Sequence, residues 1–347
     1  MPAWTTPPSG PQRRRIPGRG IPLAGAVVLV IAAVAVALLL MRQTDDGRPD
    51  PSGPRPVATA HEKASFTIPG QITVAKKSFP VNQGQPYHVS FSMTPAPSSL
   101  ADGAAAAFIG VRMECRRSDG TLLGQTGGTR NIEPGDATAF TNQMLITADR
   151  PTTATCVLHV YNTVSEVSAA GSTIPVEASW TAIAADPSAA SAPLENWLPA
   201  TLQPKDREVA ASIILDPRTS GDVTGRSTLH LTTCTILNGS TEGGRRLCST
   251  PGLDDAGSTA ALEFRTVALD DSGRVCGTYG RTETRIRISR LRHHELVPLT
   301  HRATIPPPND RCGKELRMQV RVLNEGPADL VVHRANSSLI ADRAATG

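Results

Sequence analysis

Aromatic residues are scarce in this chain of 347 residues, because phenylalanine, tryptophan and tyrosine together make up only 3% of it. Valine, isoleucine, leucine and alanine must therefore form most of any buried core. Hydrophobic residues still account for 39% of the sequence and charged residues for 19%, which is enough for globular folding. The length predicts two domains of ordinary size rather than one.

A large excess of charge is absent as well. The formal net charge is +4, and five arginines lie in the first 42 residues, which contain no acidic residue. The rest of the chain is therefore close to neutral. Proteins that bind nucleic acids normally carry a basic patch or a strongly basic domain. We therefore expect no nucleic-acid partner.

The sequence also lacks the short motifs of common active sites. It contains no G-x-S-x-G nucleophile turn, no S-x-x-K pair and no phosphate-binding G-x-x-x-x-G-K. The segment from His294 to Pro298 begins like the zinc-binding H-E-x-x-H motif, but Pro298 takes the place of the second histidine. Adjacent aspartates such as Asp270-Asp271 lack the alternating ligands of a calcium loop and predict β-turns. We expect no catalytic residue, no metal and no cofactor.

One long apolar run is present, from Leu23 to Met41, without a charged residue. As a helix it would be roughly 28 Å long, close to the ~30 Å hydrocarbon core of a bilayer. A cleaved signal peptide is the alternative, but its apolar region would be shorter and end in small residues, whereas this run ends in "LLLM" before Arg42. Four arginines precede the run, so the positive-inside rule predicts a cytoplasmic N-terminus and an extracytoplasmic remainder. The lipid bilayer is thus an expected partner.

All cysteines follow the apolar run, and none forms a C-x-x-C pair that would suggest zinc. An even number of cysteines on the extracytoplasmic side predicts disulfide bonds. These cysteines are Cys115, Cys156, Cys234, Cys248, Cys276 and Cys312.

Two segments resemble each other and bear on the disulfide pairing. "CVLHVYN", from Cys156 to Asn162, and "CGKELRMQVRVLN", from Cys312 to Asn324, each follow a cysteine with an alternating apolar run that ends in asparagine. As equivalent strands, they predict that each cysteine pairs with the one that ends an earlier alternating strand, joining the two sheets of a sandwich. The expected pairs are Cys115 with Cys156, Cys234 with Cys312 and Cys248 with Cys276. A rival pairing joins Cys234 to Cys276, at nearly the spacing of the first pair.

Short runs with period-two alternation, such as Tyr87 to Met93, are separated by turn signals, and no convincing long helix is indicated. The predicted fold is mainly β, with one N-terminal transmembrane helix followed by two disulfide-tied β-sandwich domains. The expected segments are a cytoplasmic tail (1–22), the transmembrane helix (23–41), a stalk linker (42–63), a first β-sandwich (64–184), a Pro/Ala/Ser linker (185–205) and a second β-sandwich (206–347).

One strand-like stretch, "RTETRIRISRLRHH", alternates arginine with isoleucine. As a strand it would expose guanidinium groups able to hold phosphate or carboxylate groups. The alternative is a charged edge strand whose arginines only prevent aggregation. The candidate anion-binding residues are Arg285, Arg287, Arg290 and Arg292.

The Ala-, Pro-, Gly- and Arg-rich composition and the single N-terminal anchor resemble uncharacterised single-pass membrane proteins of high-GC Gram-positive bacteria with extracytoplasmic immunoglobulin-like sandwich domains. The chain departs from antibody domains because no tryptophan lies between Cys115 and Cys156. Because anchored sandwich domains commonly present loops or sheet edges to partners, we expect a non-catalytic binding or structural protein of the cell envelope, with an envelope protein or an anionic wall polymer as partner. The alternatives are an envelope hydrolase with an unrecognised site, or an accessory subunit of a membrane complex.

Overall fold

The computed structural model describes residues 55–97, 100–162, 169–192, 194–234, 241–242, 245–248, 257–289 and 291–343. The cytoplasmic tail (1–22) and the membrane helix (23–41) expected from the sequence lie outside these ranges, so both stay predictions. No helix within the described ranges is long and apolar enough to cross a membrane.

The first β-sandwich consists of eight antiparallel strands in two sheets. They are β1 (Pro56–Thr67), β2 (Gly70–Val81), β3 (Tyr87–Pro95), β4 (Ala107–Arg117), β5 (Leu122–Ile132), β6 (Phe140–Ile146), β7 (Thr152–Asn162) and β8 (Thr173–Ala184). One sheet has the order β1-β8-β3-β6 and the other the order β2-β7-β4-β5. A 3₁₀ turn, Ala101–Gly103, precedes β4.

The remaining strands form the second β-sandwich and one separate hairpin. They are β9 (Ala190–Ser191), β10 (Ala200–Leu202), β11 (Arg207–Leu215), β12 (Gly221–Thr233), β13 (Thr241–Glu242), β14 (Arg245–Arg246), β15 (Ser258–Leu269), β16 (Val275–Ile288), β17 (Glu295–Ile305), β18 (Glu315–Asn324) and β19 (Leu330–Arg343). One sheet has the order β10-β19-β12-β17, with β9 paired to β19, and the other the order β11-β18-β15-β16. Strands β13 and β14 form a separate hairpin, and a 3₁₀ turn, Pro308–Asp310, follows β17.

Alternating sequences produce these sheets, because successive side chains of a strand point to opposite faces. In β3, Tyr87, Val89, Phe91 and Met93 are buried, and the residues between them face outward. Each sandwich encloses a separate cluster of buried side chains, mainly aliphatic residues with a few aromatic ones such as Trp180. The mainly β sandwich fold predicted from the sequence is therefore confirmed.

The expected linkers are shorter than their composition indicated. β1 begins at Pro56, inside the stalk predicted for residues 42–63, because its residues pair with β8 along their whole length. The Pro/Ala/Ser segment predicted as a linker, residues 185–205, contributes β9 and β10 to the second sandwich. It also buries Leu194 and Leu198 in that core, which explains why it does not behave as a spacer.

The two similar segments found in the sequence occupy equivalent places. β7 lies between β2 and β4, and β18 lies between β11 and β15, so each is an inner strand of its sheet. The repeat therefore reflects a repeated strand. The terminal asparagines differ, since Asn162 Nδ2 donates to the Phe108 carbonyl in its own sheet and Asn324 Nδ2 donates to the Leu202 carbonyl in the opposite sheet.

The cysteines of the two similar segments are not bonded in equivalent ways. Cys115 is bonded to Cys156, as expected, but the two lie directly opposite each other on β4 and β7, with their Cα atoms 4.0 Å apart. The bridge thus links neighbouring strands of one sheet and does not join the two sheets. Both residues are fully buried.

The other two disulfides correct the predicted pairing. Cys234 is bonded to Cys248, and Cys276 to Cys312. The expected pairs Cys234–Cys312 and Cys248–Cys276, and the rival pair Cys234–Cys276, are therefore wrong. Cys234 follows Thr233, which pairs with Leu330, a residue that comes after the end of β18. Cys312 comes before the start of β18. A ten-residue strand, roughly 33 Å long, keeps these two cysteines apart.

Candidate functional site

An arginine-rich face covers the outer side of the sheet β11-β18-β15-β16. Strand register places side chains from all four strands on this face, because directly paired residues point the same way. We call it the arginine face. Its charged members are Arg207, Arg265, Arg281, Arg285, Arg287, Arg317 and Arg321, together with Glu263, Glu283, Glu315 and Glu325.

The carboxylates of the arginine face are interleaved with its guanidinium groups. Glu263 lies at the centre, within 3.6 Å of Arg265, 3.9 Å of Arg281 and 3.5 Å of Arg321. Arg285 holds Glu325 through two nitrogens, at 2.9 and 3.2 Å. Exposed pairs of this kind contribute little to stability, about 0–1 kcal/mol each. A multivalent anion can therefore displace Glu325 from the exposed Arg285 at low cost, whereas Glu263 is largely buried among its partners.

The electrostatics of the face favour anions. Burial and the neighbouring Arg321 lower the pKa of Arg265, although Glu263 opposes this effect. The excess of positive charge comes from the composition of the face, which has seven arginines and four glutamates. A small cavity of about 140 Å³ opens on the face between Arg207, Arg281, Arg285 and Arg321.

The structure divides the four predicted anion-binding arginines. Arg285 and Arg287 lie exposed on β16, which is an edge strand. This location also fits the alternative interpretation, in which charged residues on an edge strand only prevent aggregation. Arg290 lies outside the described residues. Arg292 lies in the turn before β17, within 3.6 Å of Glu295, and belongs to a different surface.

Sequence reasoning missed the arginines that the other strands bring to this face. Arg265 lies in "ALEFRTV" of β15, and Arg317 and Arg321 lie in "ELRMQVRV" of β18. In both strands the charges alternate with buried apolar residues, so this signal was available. What the sequence did not reveal was that these strands are neighbours.

A second polar cluster lies where the two sandwiches meet. His230 of β12 and His333 of β19 are paired residues with stacked rings, whose centroids are 4.3 Å apart. His230 Nε2 lies 3.1 Å from His294 Nδ1, and both nitrogens contact Thr129 Oγ1 of the first sandwich. His293 is packed against His294 with perpendicular rings. We call His230, His293, His294 and His333 the histidine cluster.

Burial keeps much of this cluster neutral. It lowers the pKa of His230 and His294 well below the usual value, and the neighbouring histidines add to the effect. Burial also lowers the pKa of His293 to about 4. His333 is held by the Glu242 carboxylate at 2.8 Å and by Thr232 Oγ1 at 2.8 Å.

The segment that begins like a zinc-protease motif is part of the same junction. Glu295 is buried beside Arg130 of the first sandwich, with 3.3 Å between Arg130 Nε and Glu295 Oε2. Arg130 also lies 3.5 Å from Asp136. Burial raises the pKa of Glu295 although both Arg130 and Arg292 lower it. Across the described part of the chain, no group of three or more His, Cys, Asp or Glu side chains is arranged to hold a metal ion.

Comparisons with known proteins give only distant fold similarities. No family model and no curated protein matches the chain. The CBM22-1-CBM22-2 tandem domain of Paenibacillus barcinonensis Xyn10C is 9% identical with a TM-score of 0.24, over 84% of this chain and 99% of that one. N-glycanase F is 10% identical with a TM-score of 0.33, over 83% and 96%. A structure of infectious bursal disease virus, Gt strain, is 10% identical with a TM-score of 0.29, over 90% and 78%.

These similarities are too weak to carry a functional argument. The compartment is indicated instead by the cysteines, all six of which are in disulfides. Disulfides of this number are typical of proteins that fold in an oxidising, extracytoplasmic environment.

Proposed function

We propose that the chain is a membrane-anchored, extracytoplasmic, non-catalytic binding protein of the cell envelope, and that the arginine face holds an anionic envelope polymer. The observation that carries the proposal is the arginine face itself, where seven guanidinium groups share one sheet surface with four carboxylates. In this proposal the apolar run Leu23–Met41 is the membrane anchor. The full-length chain should then stay with the membrane fraction after an alkaline carbonate wash.

The geometry of a sheet suits a repeating ligand. Outward side chains recur about every 7 Å along a strand and about every 4.8 Å across strands. The array therefore offers several guanidinium groups at short, regular intervals to a polymer with repeated phosphate or carboxylate groups. Arg281 and Arg285 are exposed, so each can exchange its glutamate partner for a ligand oxygen without a large desolvation cost.

The test compares two triple variants of the full-length chain with equal changes in charge. The first replaces Arg281, Arg285 and Arg287 of the arginine face with glutamine. The second replaces three exposed arginines in other parts of the structure, each with a carboxylate partner, and again introduces glutamine. These controls are Arg116, Arg150 and Arg218.

Polyphosphate and poly-glutamate immobilised on a column are the probes. We expect wild type and the control variant to be retained at low salt and released as salt rises, because screening weakens exposed charge contacts. The face variant should bind at least about tenfold more weakly, a loss of roughly 1.4 kcal/mol. Equal retention of the two variants would leave only the charged-edge interpretation of this face.

A further inference from the structure

A second surface, separate from the arginine face, carries an ordered set of five hydroxyl groups and one amide group. On the outer side of the sheet β1-β8-β3-β6, strand register places short polar side chains in two adjacent rows. The first row is Thr181, Ser90 and Gln143, and the second row is Ser179, Ser92 and Thr141. We call these six residues the hydroxyl grid.

The second sandwich closes over this grid and forms a cleft of about 300 Å³. Its opposite wall comes from two paired strands, with Arg226 and Thr228 on β12 and Thr300 on β17. The volume is at the lower end of the range of small-molecule sites, about 300–1,000 Å³. The cleft thus has room for a small ligand held between two walls.

The base of the cleft is fixed by one buried residue that binds both sandwiches. Asn142 Nδ2 donates to the Gly127 carbonyl at 2.6 Å and to the Asn336 carbonyl at 2.8 Å. Asn142 Oδ1 accepts from Ser338 Oγ at 3.1 Å. These bonds hold the two walls at a set separation, so the cleft is preorganised and does not depend on ligand binding to form.

The polar groups of the cleft are almost all uncharged. Among its described lining residues Arg226 is the single charged side chain, and the others that are polar carry hydroxyl or amide groups. Gln143 Oε1 is bound by His88 Nε2 at 2.7 Å, which leaves the Gln143 amide NH₂ as a donor. Thr141 Oγ1 is shielded from bulk solvent without a hydrogen-bond partner among the described residues. The accessible hydroxyl groups of the grid are those of Ser90, Ser92, Ser179 and Thr181, which are all half-buried.

We propose that this cleft binds a hydroxyl-rich ligand with one anionic group, of the chemical class of an acidic sugar. The hydroxyl grid would exchange hydrogen bonds with the hydroxyl groups of the sugar, and Arg226 would hold its carboxylate or phosphate. The proposal is independent of the arginine face, because that face lies on the other sheet of the second sandwich.

Calorimetric titration of the full-length chain with glucuronic acid, glucose 6-phosphate and glucose tests this assignment. We expect at least one of the two acids to bind more than tenfold more tightly than glucose, and the tighter acid identifies the anionic group. Arg226→Gln should reduce the affinity for that acid to the level of glucose. Arg218→Gln removes the same charge from an exposed turn and should leave the affinity unchanged.

A second variant tests the grid itself. Ser92→Leu places an apolar side chain in the middle of the second row and should abolish binding of all three probes, while the thermal midpoint stays close to that of wild type. Absence of binding by either acid to the wild type would overturn the proposal. So would equal affinity for glucose and the acids, or binding to Ser92→Leu that matches the wild type.

Discussion

His293 is a buried histidine whose ring nitrogens both lack a hydrogen-bond partner among the described residues. An unpaired buried polar group costs about 1–3 kcal/mol. The pKa of His293 is lowered to about 4, so its neutral form dominates near neutral pH. The residue therefore reduces stability through its unpaired nitrogens, and its protonation reduces stability further.

The variant His293→Leu should be more stable than wild type at pH 7, by about 1 kcal/mol, because it removes both unpaired nitrogens and keeps a similar volume. Urea unfolding measures the difference. His61→Leu is the control, since His61 is an exposed residue of β1 and its replacement should change stability by less than about 0.5 kcal/mol. A loss of stability in His293→Leu would show that the imidazole has a partner or a packing role that this account lacks.

The histidine cluster also predicts a loss of stability in acid. The pKa of His293 is lowered from the ordinary 6.5 to about 4 in the folded chain, so its titration leaves stability unchanged above pH 6.5 and lowers it as pH falls from 6.5 toward about 4. Each such histidine contributes a slope of roughly 1.4 kcal/mol per pH unit. His230 and His294 act in the same direction, whereas Glu295, whose pKa burial raises, opposes them.

Unfolding free energies of wild type and His293→Leu, measured from pH 7 to pH 4.5, test this sign. The free energy of unfolding of wild type should fall by several kcal/mol over this range. That of His293→Leu should fall by less, and the difference should equal the part that the titration of His293 removes. Stability that rises as pH falls from 6.5 to 5, or identical slopes in the two proteins, would contradict the account.

Gly128 makes room for a side chain of the second sandwich. Leu296 of β17 packs against this glycine and joins the buried cluster of the first sandwich. A Cβ atom at position 128 would lie 1.8 Å from Leu296 Cδ1. Gly128→Ala should therefore displace Leu296 and cost about 1–3 kcal/mol in urea unfolding.

A double-mutant cycle separates this contact from a general effect of replacing glycine. Leu296→Ala alone should cost about 2–5 kcal/mol. In that background the space beside Gly128 is open, so adding Gly128→Ala should cost less than about 0.5 kcal/mol. Costs that simply add would mean that Leu296 does not occupy this space.

At the scale of the strands, the sequence predicted what depends on local alternation. The strands around Cys115 and Cys156 follow directly from alternating apolar residues, and the match between β7 and β18 was visible as a repeated pattern. The pairing of the other cysteines was not visible. It depends on which ends of the strands meet, and spacing along the chain does not contain that information.

Two disulfides with similar loop lengths differ in burial, which makes their removal a matched comparison. Cys115–Cys156 closes 41 residues and is fully buried, whereas Cys276–Cys312 closes 36 residues and is exposed. Loop entropy alone gives about 4 kcal/mol for each. Replacing both members with alanine should cost more at Cys115 and Cys156, because packing in the core is lost as well. Equal costs in guanidinium unfolding would mean that the buried bridge adds no packing.

At the scale of the whole molecule, the described strands form two sandwiches that share a polar junction. Thr129, Arg130 and Asn142 of the first sandwich contact residues of the second. None of these contacts could be predicted from the sequence, because each joins residues more than 100 positions apart through the packing of complete sheets. The same reason explains why Arg285 and Arg287 were predicted as exposed while Arg207 and Arg265 were missed.

We propose that these disulfide-tied sandwiches lie outside the cytoplasmic membrane. A membrane-impermeant maleimide applied to intact cells that produce the full-length chain tests it most directly. Without a reductant, no cysteine should react. After mild reduction, still without permeabilisation, Cys276 and Cys312 should be labelled first, because their bridge is exposed and the other two are buried. Labelling without reduction, or labelling that requires permeabilised cells, would contradict the account.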